Sequence, residues 1–309
     1  MNITPPQCEA AKHADTVLES KGRSFHWARH LLGKKHAERA TRLYSFCRHL
    51  DDLADEATSR EAARIKIDSA RQEILSGKSH DAVLSDGLAL ASECGIPGGP
   101  ILDLISGTSS DLETVRVEDV PELIRYCYRV AGTVGLMMCR VLDVQSPSAF
   151  PHAIDLGIAM QLTNICRDVV EDASMGRRYL PATLVGDLSP VELIHPDPVV
   201  RSRVSTAIGT LLQLADGYYI SGEAGLSYLP LRARGAILVA SRVYRGIGTN
   251  LLARKGDCWS GRAIVSARQK AFLSLAALII QPFNRSFWTP TSHHSPQLHA
   301  ALAGLSIST

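Results

Sequence analysis

Long apolar runs and paired-cysteine motifs are both missing from this chain of 309 residues. The longest apolar run, residues 271–280, is too short to cross a bilayer as a helix. The seven cysteines show no CxxC spacing and no zinc-like array with histidine, so we expect reduced thiols. Residues 1–17 lack a basic segment followed by an apolar core, so we expect no signal peptide. These absences predict a cytoplasmic protein and leave association with a membrane surface open.

A strong charge of either sign is missing as well. The 33 lysines and arginines nearly balance the 31 aspartates and glutamates and are interspersed with them, so we expect no nucleic-acid partner. GxSxG and Cys–His arrangements, which would supply a nucleophile, are absent. Runs of alternating apolar and polar residues, which favour strands, are absent too, and no GxGxxG follows a strand. Helical periodicity remains, and it predicts an all-α protein formed by a single helical bundle.

The clearest periodic segment is QLTNICRDVVED, residues 161–172. Its polar residues lie three, four and four positions apart, and thus on one face of a helix: Gln161, Asn164, Asp168 and Asp172. Apolar residues keep the same rhythm on a neighbouring face, which indicates a core contact. Two carboxylates four positions apart repel one another unless a hard cation such as Mg²⁺ lies between them. The segment therefore indicates either a solvated acidic face or a metal site.

A second acidic pair occurs in RHLDDLADE, residues 48–56. Asp51 and Asp55 are again four positions apart, and Arg48 continues their stripe towards the N-terminus. If the two helices face one another across a bundle, the two pairs could hold several Mg²⁺ ions against a diphosphate. The repetition favours a metal site over a solvated face.

The segments CRHLDDLADE and QLTNICRDVVEDASMGRRYLP resemble the two aspartate-rich signatures of the squalene/phytoene synthase family, the head-to-head isoprenyl diphosphate synthases. YCYRVAGTVG and the Ser24-Phe25 pair also resemble family segments, so the resemblance runs from about residue 24 to residue 270. GRRYLP, VAGTVG and SYLPLRARGAILVASRVYRGIG are most similar to bacterial carotenoid enzymes. The resemblance implies an isoprenoid-synthase-type bundle around a central apolar cavity.

The resemblance also implies roles for individual residues. The catalytic set would be Asp51, Asp55, Asp168, Asp172 and Tyr126, which borders the reacting carbons in the family. The metal ligands would be Asp51, Asp55, Asn164, Asp168 and Asp172. The diphosphate would contact Ser24, Arg48, Gln161, Asn164, Arg167, Arg178, Arg262 and Lys270.

The residues alone allow plainer roles for several of these. Ser24 is also a helix cap for residues 25–32, and Tyr126 a buried phenol with one hydrogen bond. Arg262 and Lys270 would otherwise be solvated charges on a helix over residues 261–280. The pair at residues 177–178 could close over phosphates or offset the neighbouring carboxylates.

Three regions complete the prediction: a lead-in over residues 1–20, a helical domain over 21–282, and a disordered tail over 283–309. Within the domain we predict signature helices over 36–57 and 148–173 and a long helix over 120–143. That long helix contains Gly132 and Gly135, each about 1 kcal/mol less favourable than alanine. They indicate a close helix crossing or, by the resemblance, room for an isoprenoid chain beside a bent helix.

The function implied is condensation of two geranylgeranyl diphosphates to phytoene, through a cyclopropylcarbinyl (prephytoene) diphosphate, in carotenoid biosynthesis. It needs Mg²⁺ or Mn²⁺ and no NADPH, and product release leaves peripheral membrane contact open; no oligomeric state is predicted. Presqualene diphosphate, squalene and dehydrosqualene synthases, which act on farnesyl diphosphate, are the alternatives within the family. Outside the family, a head-to-tail prenyltransferase, a terpene cyclase and a non-catalytic helical scaffold stay open.

Overall fold

The computed structural model describes residues 14–16, 18–19, 23–55, 57–290 and 294–305, without the side chains of residues 23 and 24. Within these ranges there is no β-strand, only an isolated bridge between Arg116 and Arg178. The prediction of an all-α, single-domain protein is therefore confirmed. The α-helices are α1 (Arg23–Arg29), α2 (Lys34–Asp55), α3 (Arg60–Ser76), α4 (Ala82–Cys94), α5 (Gly98–Ser110), α6 (Val120–Cys127), α7 (Thr133–Val141), α8 (Phe150–Arg167), α9 (Val169–Ser174), α10 (Ala182–Val185), α11 (Pro190–Ile194), α12 (Pro198–Ala224), α13 (Leu231–Ala253) and α14 (Ala267–Ile280).

Helix α8 lies at the centre of the larger core, where it packs against α7, α12 and α13. Its buried apolar stripe is the one predicted from spacing: Ile154, Ile158, Leu162 and Ile165. A fully buried side chain of this size stabilises the fold by about 1.5–3 kcal/mol. A second core cluster forms where α2 packs against α3, α4 and α5. The two signature segments therefore belong to different core clusters, and each has an apolar face that fixes its orientation.

The predicted helix over residues 120–143 is interrupted by a π-helical turn, Tyr128–Gly132, between α6 and α7. A Cβ added to Gly135 would lie 2.2 Å from the carbonyl oxygen of Ala153 on α8. A Cβ added to Gly157 would lie 2.3 Å from the carbonyl oxygen of Ala131. The two backbones are in contact, so Gly135 permits a close helix crossing. The other expectation was room for an isoprenoid chain, but beside Gly135 that space is occupied by α8.

The C-terminal segment was predicted to be disordered, and this is wrong for residues 283–290 and 294–305. Tyr218 Oη donates to the carbonyl oxygen of Leu298 at 2.7 Å, Arg234 donates to that of Phe287, and Leu302 is buried. Side chains of α12 and α13 thus donate hydrogen bonds to backbone carbonyl groups of the C-terminal segment, which the composition of that segment could not indicate. The segment contains three 3₁₀ turns: Gln281–Phe283, Arg285–Phe287 and Pro296–Leu302. The rest of the predicted tail, residues 291–293 and 306–309, lies outside the described residues.

Two further expectations concern chain ends and membranes. Ser24 lies inside α1 and not at its cap, and its side chain is outside the described residues. Among the described helices, none combines the length and the apolar character that a bilayer crossing requires.

Candidate active site

The first acidic pair lies near the C-terminal end of α2. Burial raises the pKa of Asp51 to about 7; Arg48 opposes this effect, and the carboxylates of Asp55 and Asp111 add to it. Arg48 pairs with Asp52 at 2.5 Å, one helical turn further on, while its buried Nε has no hydrogen-bond partner. The end of α2 therefore carries more negative charge than its own arginine neutralises.

The second acidic pair spans a break that was not predicted from the sequence. Helix α8 ends at Arg167, Asp168 has φ −105° and ψ 17°, and α9 then carries Asp172. Backbone bonds of 2.8 Å, from Asp168 N to Asn164 O and from Asp172 N to Asp168 O, continue the helical pattern through the break. The prediction of one helix over 148–173 is therefore wrong at Asp168. The side chains of Asn164, Asp168 and Asp172 nevertheless keep their spacing of one helical turn.

Asp168 is held by two arginines. Arg167 Nε lies 2.7 Å from Asp168 Oδ1, and Arg262 reaches both oxygens, at 3.0 Å to Oδ1 and 3.1 Å to Oδ2. Arg262 comes from the loop before α14, because that helix begins at Ala267 and not at residue 261 as predicted. Two predicted diphosphate ligands thus converge on one predicted metal ligand.

A residue that was not predicted from the sequence, Asp111, joins the two pairs. Tyr126 Oη donates to Asp111 Oδ2 at 3.0 Å, and Tyr179 Oη donates to Asp111 Oδ1 at 2.6 Å. The two rings are stacked with centroids 4.8 Å apart. Burial raises the pKa of Asp111 to about 6, and the Tyr179 hydrogen bond, Arg177 and Tyr126 oppose it. Tyr126 is therefore a hydrogen-bonded phenol beside the acidic residues.

Asp111 influences both acidic pairs. Burial, followed by the Asp168 carboxylate, raises the pKa of Asp172 well above its ordinary value, and Asp111 adds to that rise as it does for Asp51. Arg177 lies among these carboxylates, with Nη2 3.0 Å from Asp55 Oδ1. The structure therefore brings the two acidic pairs into one region, which includes Asp111 and Arg177.

Arg178 is misplaced in the predicted diphosphate set. Its side chain is only 1% exposed and donates to the carbonyl oxygens of Val117 at 3.0 Å and Leu180 at 2.8 Å. These contacts hold the loop after α9 to the loop before α6, a structural role. Its neighbour Arg177 faces the carboxylates instead, and residue type alone does not separate the two.

The remaining predicted ligands are Gln161, Asn164 and Lys270. Asn164 Nδ2 donates to Gln161 Oε1 at 3.2 Å, while Asn164 Oδ1 is buried without a hydrogen-bond partner. Lys270 lies on α14, one turn before Ser274, whose hydroxyl accepts from Trp27 Nε1 of α1 at 2.9 Å. Lys270 is thus on a helix that packs near α1, where Ser24 is also found.

The oxygen atoms assembled here fit hard divalent cations. The set consists of carboxylates and one amide oxygen, which are the ligands that Mg²⁺ and Mn²⁺ prefer. The unpartnered Oδ1 of Asn164 is an acceptor that a cation would satisfy. The raised pKa values of Asp51, Asp111 and Asp172 are the mark of partly buried negative charge that a cation would stabilise.

Comparison with known proteins gives consistent matches over most of the chain. The sequence model of the family "Squalene/phytoene synthase" matches residues 18–269. The 15-cis-phytoene synthase of Enterobacter agglomerans is 33% identical over 271 residues, covering 84% of this chain and 92% of that protein. The phytoene synthase of Pseudescherichia vulneris is 34% identical, covering 86% and 90%. The crystal structure of a dehydrosqualene synthase in complex with ligand matches with a TM-score of 0.79 and 26% identity, covering 90% of this chain and 99% of that one.

Proposed function

Because this chain belongs to the squalene/phytoene synthase family, we propose that it condenses two geranylgeranyl diphosphates head to head into phytoene, through prephytoene diphosphate, in carotenoid biosynthesis. The observation that carries the proposal is the convergence of both acidic pairs with Asp111 and Arg177. The phytoene synthases among the relatives support the twenty-carbon substrate. NADPH is not expected, since phytoene forms by loss of a proton and not by reduction.

The first chemical requirement is departure of diphosphate. We assign cation binding to Asp51, Asp55, Asn164, Asp168 and Asp172. Bound Mg²⁺ or Mn²⁺ would neutralise the negative charge that develops on the leaving diphosphate. Asp111, which couples electrostatically to both pairs, would keep the region negative enough to favour these cations.

The arginines would bind the diphosphate directly. Arg167 and Arg262 both donate to Asp168, and a phosphate accepts the same bidentate geometry from a guanidinium group. A diphosphate beside Asp168 would therefore replace the carboxylate as the acceptor of the hydrogen bonds from these two arginines. The exchange would place fixed positive charge at the leaving group and release Asp168 oxygens for cations. Arg48, with its unpartnered Nε, would serve the opposite pair in the same way.

Tyr126 and Tyr179 would position Asp111. Burial raises the pKa of both phenols, so both stay protonated and donate to the carboxylate. A neutral phenol is a much weaker nucleophile and base than a phenolate, which suits a site that must keep an allylic cation intact. The apolar cavity that shields this cation from water remains a prediction.

Product analysis tests the proposal. The untagged chain is incubated with Mg²⁺ and either fifteen- or twenty-carbon diphosphate, with and without NADPH. We expect phytoene from geranylgeranyl diphosphate, with no effect of NADPH. Dehydrosqualene from farnesyl diphosphate, or squalene in the presence of NADPH, would favour the other products of the family. Failure to release diphosphate from either substrate would favour a non-catalytic scaffold.

Product release supports a second proposal, contact with a lipid bilayer. A forty-carbon hydrocarbon is insoluble in water, and α14 with the turn after it exposes large apolar side chains, including Phe272 at 71% and Phe283 at 89%. Leu275, Ile279 and Ile280 are exposed on the same helix. Exposed Arg268 and Arg285 stand nearby in the chain and would attract anionic lipid headgroups.

Sedimentation with anionic phospholipid vesicles measures this contact. Phe272→Asp and Phe283→Asp should each reduce the bound fraction, while Ile65→Asp, which changes an exposed apolar residue on α3, should leave it unchanged. Equal binding by all three variants and the wild type would refute the assignment of this face to the membrane.

A further inference from the structure

A buried carboxylate lies at the other end of α8 from the acidic site. Asp155 precedes Asp168 by 13 positions, which separates them by about 20 Å along a helix. Asp155 is 0% exposed, and among the described residues no lysine or arginine pairs with it. Its partners are the Nε2 atom of His294, 2.8 Å from Oδ2, and the Nε2 atom of His299, 2.8 Å from Oδ1. A buried anion is thus surrounded by imidazoles.

The three side chains have the spacing of a metal site. One carboxylate oxygen of Asp155 and one ring nitrogen of each histidine lie within 4.8 Å of one another. Zinc is bound at about 2.0–2.2 Å by nitrogen and oxygen, so tetrahedral ligand atoms lie about 3.3 Å apart. Each 2.8 Å contact between Asp155 and a histidine would lengthen by about half an ångström to reach that separation.

Neighbouring groups hold these ligands in place. Ser221 Oγ donates to Asp155 Oδ2 at 2.5 Å, and the backbone carbonyl of Ser221 lies 2.7 Å from His152 Nδ1. A carbonyl only accepts, so His152 carries its proton on Nδ1. The His152 ring stands edge-on to the His294 ring, with centroids 5.4 Å apart. Such supporting hydrogen bonds orient ligands in metal sites.

We propose that Asp155, His294 and His299 bind one divalent ion of the zinc class, at a site distinct from the acidic site, and that this ion fastens the C-terminal segment to α8. Imidazole nitrogens favour zinc-class ions, whereas Mg²⁺ favours the all-oxygen set at the acidic site. Both histidines lie beyond residue 269, where the match to the family ends. The site is therefore built from this chain's own C-terminal segment and the shared helical domain.

In the hydrogen-bonded arrangement each Nε2 carries a proton that it donates to Asp155. A bound ion would use the lone pair of each Nε2, and each neutral imidazole would then carry its proton on Nδ1. The carboxylate charge then offsets half of the charge of the ion.

The experiment is zinc titration of the untagged, EDTA-stripped chain in excess Mg²⁺, which would occupy the acidic site. Calorimetry and elemental analysis should give one zinc ion per chain, and zinc should raise the melting temperature. His294→Ala and His299→Ala should each weaken binding at least about tenfold. The matched control is His195→Ala, an exposed histidine in the loop before α12, and it should bind zinc like the wild type.

Two outcomes would overturn the site. One is a wild type that takes up no more zinc than the His294→Ala/His299→Ala double variant. The other is a wild type whose melting temperature does not respond to zinc, a measurement that needs no variant to fold. Either result would leave the contacts as a hydrogen-bonded clasp, and neither depends on whether the chain makes phytoene.

Discussion

Replacing Asp51 by asparagine should stabilise the cation-free protein at neutral pH while it removes activity. Burial, together with Asp55 and Asp111, raises the pKa of Asp51 from 3.8 to about 7 in spite of Arg48. Asparagine has nearly the same shape and no charge. The variant therefore avoids the free-energy cost of a buried anion and gives up a proposed cation ligand.

The magnitude follows from the displaced pKa. Each tenfold change in a binding constant corresponds to about 1.4 kcal/mol, so the displacement from 3.8 to about 7 corresponds to about 4 kcal/mol. The folded protein binds this proton more tightly than the unfolded chain, so stability is lost as the pH rises from about 4 to about 7. Asp51→Asn should therefore add less than about 1 kcal/mol near pH 4 and up to about 4 kcal/mol near pH 8.

Urea unfolding in EDTA, followed by circular dichroism at both pH values, measures the difference. Asp68→Asn, an exposed substitution on α3, is the matched control and should change little at either pH. Adding Mg²⁺ should narrow the gap between wild type and Asp51→Asn, because bound cations stabilise the ionised carboxylate. A variant that is no more stable than wild type near pH 8, or equally stabilised at both pH values, would refute the reasoning.

Three more predictions concern activity and packing. Asp168→Ala should reduce turnover at least about 100-fold with unchanged helical circular dichroism, and EDTA should do the same reversibly; near-normal rates in either case would contradict the cation site. Arg177→Gln should impair turnover with little change in stability to urea, whereas Arg178→Gln should lower the free energy of unfolding by about 2–4 kcal/mol. The reverse pattern would show that Arg178 serves the acidic site and that Arg177 has the structural role. Gly135→Ala should destabilise by at least about 2 kcal/mol because its Cβ would meet backbone at 2.2 Å. Gly209→Ala, with nothing within 4 Å, should be neutral or mildly stabilising in the same melts.

Features encoded by local spacing could be predicted from the sequence. The buried stripe of α8 and the two acidic pairs follow from helical periodicity, which depends only on residues within a few turns of one another. The all-α class followed in the same way from the absence of alternating patterns. The membership of Asp51 and Asp168 in one site did not follow from spacing; it was implied by the resemblance to the family.

Features that depend on tertiary contacts could not be predicted. Asp111 has no acidic partner one turn away, so only the folded positions of Tyr126 and Tyr179 identify it. Arg177 and Arg178 are adjacent and chemically identical, and the path of the chain decides which one is buried. Order in the C-terminal segment depends on hydrogen-bond donors from α12 and α13, and the composition of the segment itself gives no information about these donors.

The carboxylates at the two ends of α8 differ in what surrounds them, and this difference predicts separate metal preferences. Near the acidic end, burial and neighbouring carboxylates raise the pKa of Asp172, so this region favours a hard cation bound by oxygen ligands. At the other end the pKa of Asp155 is lowered, because hydrogen bonds from His294, His299 and Ser221 outweigh its burial. Those donors include the nitrogens that a zinc-class ion would bind.

Competition between ions should therefore separate the two sites. Excess Mg²⁺ should not displace zinc from the wild type, and His299→Ala should reduce zinc-induced stabilisation while it leaves Mg²⁺-dependent diphosphate release intact. Loss of zinc binding on addition of Mg²⁺ would mean that both ions occupy the acidic site. Because each ion is matched to a different donor set, the direction of competition tests both assignments at once.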